Sequence, residues 1–161
     1  MKGPIQLLCV LLVCALACAA EQKVDRVLVL KKKHTMYLLH QGTVVKTYAI
    51  ALGLGGLKPK RRDGDERTPE GLYTIDGRNP NSDYHRALHI SYPNRVDRAR
   101  ARRRGVRPGG DIMIHGLPND VPDGVAPAVH DWTAGCIAVT NRDIEEIYGL
   151  VSDGTAVEIR P

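Results

Sequence analysis

Outside its first twenty residues the chain has one cysteine, Cys136. A disulfide framework is thereby excluded, and at 161 residues none is needed, because a chain of this length buries a sizeable core as one domain. No internal repeat and no second domain are visible. The positive charge is modest: with Lys2 set aside among the first twenty residues, 22 basic side chains face 18 acidic ones, a balance of +4. Most of the excess crowds into "NRVDRARARRRGVRPGG", where Arg95, Arg98, Arg100, Arg102, Arg103, Arg104 and Arg107 lie close together. No aromatic is interleaved there, which argues against nucleic acid as a partner. A solvated helix face, or attraction to an anionic polymer, accounts for the run better. A zinc-protease helix is missing too. His85 and His89 have the i, i+4 spacing of helical ligands, but "HRALHISY" reads as a strand and lacks the glutamate of that motif, so no metal site is expected.

The other three cysteines, Cys9, Cys14 and Cys18, fall in "MKGPIQLLCVLLVCALACAAEQ". One early lysine, an apolar centre and small residues before Glu21 mark residues 1–20 as a secretory signal, too short to span a bilayer comfortably. A first core strand or a short anchor is the plainer alternative. Cleavage after Ala19 or Ala20 leaves a soluble secreted protein. "ALAC" also resembles a lipoprotein signal, which makes Cys18 a lipid-anchored N-terminus; simple secretion is narrowly preferred. Either route leaves Cys136 as a lone thiol in an oxidising compartment. It is there either as a small buried hydrophobe or as a nucleophile.

Residues 24–51 read as strands in short β-branched and aliphatic runs, "VDRVLVL", "TMYLLH" and "TVVKTYAIAL", broken by "KKK" and the turn "HQG". Two adjacent hairpins are the economical arrangement. A long charged loop follows, "GLGGLKPKRRDGDERTPEG", and then strands at "GLYTIDG", "RALHIS" and "DIMIHG". The first two are separated by a turn cluster, "GRNPNS". Pro93 and Gly105 bracket a helix over the arginine run. After a second loop, "LPNDVPDGVAPAVHDW", come a strand at "GCIAV" and a helix with capping-box spacing at Thr140 and Asp143 and apolar Ile144, Ile147, Tyr148 and Val151. "TAVEI" closes the chain as a strand. The expected fold is mainly β, a twisted sheet or sandwich with two helices.

Two reactive groups lie beside glycines at strand ends, His115 in "DIMIHG" and Cys136 in "TAGCIAV". If those strands are neighbours, the imidazole can take the thiol proton, which acyl transfer through a thioester requires. Backbone N–H groups around Gly135 and Cys136 can supply an oxyanion site. His130 competes for the role of base. Asp131 follows it directly, however, and adjacent residues on an extended chain point apart, so His130 suits a rim position contacting substrate. Trp132, the only tryptophan, either fills the core or lines a groove.

These segments resemble the L,D-transpeptidase catalytic domain (YkuD-like) of bacterial cell-wall enzymes, from about residue 24 to the C-terminus. The likeness rests on His115-Gly116, on "TAGCI" with Thr133, Gly135, Cys136 and Ile137 in the matching places, and on "MYLLHQGTVVKTYAIALG", "RTPEGLYTI" and "GGDIMIHG". Many members carry a histidine before the motif glycine and an arginine two places after the cysteine. Ala134 and Ala138 stand there in this chain, as in a subgroup with a DWTAGCIAVTN-type motif. The resemblance implies a β-sandwich-like domain over residues 24–161 that needs no metal or organic cofactor. It implies Cys136 as nucleophile, His115 as base oriented by a carbonyl near Gly116, and oxyanion N–H groups in the turn through Gly135. Thr133, Trp132 and His130 are the implied substrate contacts. The implied substrate is a peptidoglycan stem tetrapeptide, attacked at its third residue with loss of D-alanine in the periplasm or envelope. The acceptor is an amine of another stem or of an envelope lipoprotein. With water as acceptor the same domain is a carboxypeptidase or endopeptidase, and without chemistry it is a peptidoglycan-binding module.

Overall fold

The computed structural model of the chain describes residues 23–122 and 130–161. The proposed leader, with Cys18, and part of the second long loop lie outside the described residues. The architecture is mainly β, with two α-helices. Eight strands hydrogen-bond in one mixed sheet, and their residues run in chain order as β1 (Arg26–Leu30), β2 (Thr35–His40), β3 (Thr43–Ala49), β4 (Gly71–Ser82), β5 (His85–Ile90), β6 (Met113–His115), β7 (Ile137–Ala138) and β8 (Ala156–Arg160). Their spatial order is β3-β2-β1-β8-β4-β5-β6-β7. The helices are α1 (Arg95–Arg103) and α2 (Asn141–Leu150).

β1, β2 and β3 form the two expected hairpins, antiparallel and in sequence order. The last strand then inserts parallel to β1 and antiparallel to β4. Alternation places every second side chain on one face. One transverse row across four strands is therefore Leu38, Val27, Val157 and Tyr73, all buried. Burial of such side chains contributes about 1.5–3 kcal/mol each. α2 starts at Thr140, whose Oγ1 accepts the Asp143 N–H at 3.0 Å, and buries Ile144 and Ile147. It packs on β5 and β6. α1 is capped by Asn94 and Asp97 in a reciprocal box and buries only Ala101, so its arginines face water.

Two expectations need correction. "GRNPNS" is not a turn between strands. β4 continues through it to Ser82, and the register with β5 shifts between Ile75 and Gly77 and again between Asn79 and Ser82. Pro80 lacks a ladder N–H and falls in the second irregularity, where a proline is tolerated. The strand at "GCIAV" is only Ile137–Ala138, because Gly135 and Cys136 belong to the turn before it.

The sheet's two ends are joined beyond its named strands. Past β3, Ala51 and Ala138 exchange both backbone hydrogen bonds at 2.9 Å. That contact covers the β7 edge and brings the 50–55 segment against the turn that carries Cys136.

The "KKK" break does more than end a strand. Lys31 is fully buried, and its Nζ donates to Thr68 O at 2.9 Å, Lys58 O at 3.3 Å and Glu70 Oε1 at 3.0 Å. Burial lowers its pKa, and Glu70 opposes that shift. One ammonium thus ties both ends of the charged 58–70 loop to the sheet. Lys31→Met removes three bonds to a charged donor and should destabilise the fold by about 2–4 kcal/mol, read as a lower urea midpoint at unchanged slope.

Candidate active site

β6 and β7 are parallel neighbours, with Ile114 opposite Ile137 and His115 opposite Ala138. Cys136, one residue before β7, therefore sits beside the start of β6. His115 and Cys136 line one pocket of about 440 Å3, together with Trp132, Thr133, Tyr84 and Asp111 among others. The expected neighbourhood of thiol and imidazole is present.

The His115 ring is oriented by its own chain. Its Nδ1 lies 2.7 Å from Gly116 O, and a carbonyl only accepts, so Nδ1 carries the proton and Nε2 is the basic nitrogen. The ring forms a cluster with Tyr84, centroids 4.6 Å apart, and Trp132, 5.7 Å away and edge-on, whose own centroids are 6.0 Å apart. Gly116 is required here: a Cβ would lie 2.7 Å from Asn141 Oδ1 and 3.0 Å from Ile144 Cγ2. Asn141 Oδ1 in turn accepts the Leu117 N–H at 2.8 Å, which links the His115 strand end to α2.

The thiol is held by β6. Cys136 Sγ accepts from the Met113 N–H and donates to Asp111 O, both at 3.4 Å. Burial pushes the thiol pKa up, against the pull of the Met113 N–H, and the Asp111 charge adds to the rise. Burial also pushes the His115 imidazole down, against its bond to Gly116. Both shifts favour a neutral thiol beside a neutral imidazole over a preformed thiolate–imidazolium pair.

The turn itself is internally braced. Thr133 Oγ1 donates to Cys136 O at 2.8 Å and accepts the Gly135 N–H at 3.1 Å. The Gly135 N–H is thus engaged inside the turn. No described hydrogen bond takes the N–H of Ala134 or Cys136, so those two remain for the oxyanion role. Thr133 is buried and serves the turn while also lining the pocket. Gly135 has φ 127°, and a Cβ on it would meet Arg67 O at 2.8 Å.

Asp131 does not orient His130. It accepts the Leu52 N–H at 2.8 Å and pairs with His34 Nε2 at 3.1 Å. His130 is exposed and outside the pocket lining, whereas Trp132 lines the pocket as expected. His85 and His89 pair with Glu145 and Asp76, and no group of three metal-type ligands occurs among the described residues. Tyr84, Glu66, Asp83 and Asp111 also line the pocket, and sequence reasoning did not single them out. Tyr84 precedes β5, and only the β5–β6 register, with Ala87 opposite His115, carries it onto the His115 ring.

Residues 24–159 match the family model described as the L,D-transpeptidase catalytic domain, YkuD. The chain belongs to this YkuD family. YafK from Escherichia coli (strain K12), whose name provisionally assigns it as an L,D-transpeptidase, is 36% identical over 114 residues, covering 70% of this chain and 39% of that protein. Among solved structures, the helical cell shape determining protein Pgp2 from Campylobacter jejuni is similar at TM-score 0.65 and 29% identity, over 85% of this chain and 47% of that one. Bd1075 from Bdellovibrio bacteriovorus is similar at TM-score 0.59 and 25% identity, over 86% of this chain and 48% of that one. This YkuD chain therefore spans less than half the length of these relatives. An L,D-transpeptidase from Xylanimonas cellulosilytica, at 17% identity and TM-score 0.57 over 86% of this chain and 61% of that one, shares the fold.

Two outcomes test the site. Alkylation of Cys136 by iodoacetamide should accelerate with rising pH through an apparent pKa above the ordinary thiol value of about 8.5; an inflection below 7 would mean a preformed ion pair. Gly135→Ala places a side chain at positive φ against a carbonyl and should lower stability by about 1–3 kcal/mol, measured by chemical denaturation, with accelerated alkylation of a loosened Cys136 turn.

Proposed function

We propose that this YkuD domain is a cysteine-dependent L,D-transpeptidase acting on peptidoglycan stem tetrapeptides. The observation that carries the proposal is the pairing in one pocket of Cys136 with an imidazole whose Nδ1 is fixed on Gly116 O, leaving Nε2 to act as base.

Burial disfavours the charged form of both the thiol and the imidazole, which suits base-assisted attack. His115 Nε2 accepts the Cys136 proton as Sγ bonds to the carbonyl carbon of the third stem residue. The oxyanion is met by the N–H groups of Ala134 and Cys136, where one such donor contributes about 3 kcal/mol to the transition state. The C–N bond to D-alanine breaks as His115 returns the proton to the departing amine, leaving a thioester. An acceptor amine then attacks the thioester, its proton passes to His115, and the thiolate leaves and is reprotonated. A stem-peptide amine yields a cross-link, a lipoprotein lysine yields an attached protein, and water yields a shortened stem. Trp132 and Tyr84 supply apolar walls against the substrate backbone. The polymer substrate fits secretion to the periplasm or envelope through the proposed leader, with Cys18 as the alternative lipid anchor.

The test is incubation of the full chain with disaccharide tetrapeptide. D-alanine should be released, Cys136→Ala should abolish release, and His115→Gln should slow it by about 10²–10⁴-fold. Full activity in Cys136→Ala would overturn the mechanism. Product masses, cross-linked dimer against hydrolysed stem, assign the acceptor.

A further inference from the structure

A second concavity, of about 420 Å3, is lined by Arg61, Arg62, Arg67 and Arg104 together with Gly55, Gly64, Asp65 and Val106. We propose that it is a binding site for a phosphate-bearing ligand, separate from the thiol pocket.

Four guanidinium-bearing residues from two distant stretches of chain converge there, and the folding of both stretches makes the convergence specific. The single acid in the lining is already engaged. Asp65 is paired with Lys60 Nζ at 2.8 Å and accepts the N–H groups of Arg61 at 2.7 Å, Arg62 at 3.1 Å and Arg67 at 3.3 Å. These bonds hold its pKa below the ordinary carboxylate value. Asp65 thus shapes a tight loop from which Arg61, Arg62 and Arg67 extend. Arg104 comes from the C-terminal cap of α1. The two stretches are joined where the Asp63 N–H donates to Arg107 O at 2.8 Å.

Asp65 forms its ion pair with Lys60, so the lining arginine side chains have no ion-pair partner among the described residues. Among the described residues no hydrogen bond or ion pair engages the side chains of Arg61, Arg62 or Arg104, and Arg67 gives only its Nε, to Gly55 O at 3.1 Å. Like charges held together with no carboxylate paired to them are stabilised by a bound anion. Several planar forks offer more N–H groups than the two oxygens of one carboxylate accept, whereas a phosphate group presents more acceptors to bidentate contacts. The same ligand is unsuited to the thiol pocket. Glu66, Asp83 and Asp111 line that pocket, and among the described residues no lysine or arginine does. The two pockets stand on either side of one loop pairing, the Gly55 N–H donating to Glu66 O at 2.8 Å.

Calorimetric titration of the full chain with inorganic pyrophosphate tests the site without recourse to catalysis. Wild-type protein should bind, with affinity falling steeply as salt is added. Arg61→Gln/Arg104→Gln should weaken binding at least tenfold while keeping the thermal melt, and Arg104→Gln alone should give a smaller loss. Arg95→Gln/Arg103→Gln, two exposed α1 positions outside the concavity, should bind as wild type. No binding by wild type, or equal loss in both double variants, would overturn the proposal. Cosedimentation with phosphatidylglycerol but not phosphatidylcholine vesicles, lost in Arg61→Gln/Arg104→Gln, identifies a lipid headgroup as the source. Pyrophosphate binding without cosedimentation identifies a soluble phosphate compound.

Discussion

The site depends on a strip of backbone hydrogen bonds between residues 51–54 and 132–138. Ala51 and Ala138 exchange two bonds, Leu52 O accepts the N–H groups of both Trp132 and Thr133 at 3.1 Å, and the Leu54 N–H donates to Thr133 O at 2.9 Å. Asp131 adds a side-chain bond to the Leu52 N–H. This strip closes an open edge of the sheet and at the same time sets the height of the Cys136 turn above β6. Its approach is so close that a Cβ on Gly53 would lie 2.0 Å from Glu66 O and 2.9 Å from Gly135 Cα. Only glycines allow three backbone segments to meet there. Ala138 is fully buried within the strip, so a long side chain at that position would have to displace neighbouring backbone.

Around this strip the polar groups are sorted by sign and by depth. Lys31 anchors the 58–70 loop from below, and Asp65 organises its middle from within. The loop presents Glu66 to the thiol pocket, and Arg61, Arg62 and Arg67, with Asp65 among them, to the second concavity. Among the described residues every fully buried side-chain nitrogen and oxygen has a partner, as expected where an unmet group costs about 1–3 kcal/mol. The loop is therefore held by directed bonds, although six of its thirteen residues are exposed.

Burial has a second consequence at Cys136. A lone thiol is vulnerable to oxidation in proportion to its thiolate character and access. Burial raises the thiol pKa and lowers that of His115, and so disfavours the charged form of the sulfur. The Met113 N–H and Asp111 O hold it in place meanwhile. In the proposed mechanism, proton transfer to His115 accompanies attack instead of preceding it, which ties reactivity to the presence of an electrophile.

Local patterns carried much of the fold. Alternation in "TMYLLH", the i, i+3, i+4 spacing of Ile144, Ile147 and Tyr148, and glycines beside His115 and Cys136 each express a preference within a few residues, and each corresponds to an element or a site position. One local signal misled. Pro80 in "GRNPNS" suggested a turn because a bulge that absorbs proline is defined by the partner strand. The "KKK" run does break the strands, at Lys31–Lys33, but it carried no sign that Lys31 is buried, because the acceptors around Lys31 lie 27 to 39 residues away. Sequence by itself thus determined the strand and helix types, the candidate nucleophile and the candidate base. Only the tertiary structure decided that Tyr84 lies against His115, that the Gly135 N–H is consumed by Thr133, and that Arg104 joins the 61–67 loop. Each of those contacts is made by strand register or by loop closure, which bring together groups with no nearby signal in the chain.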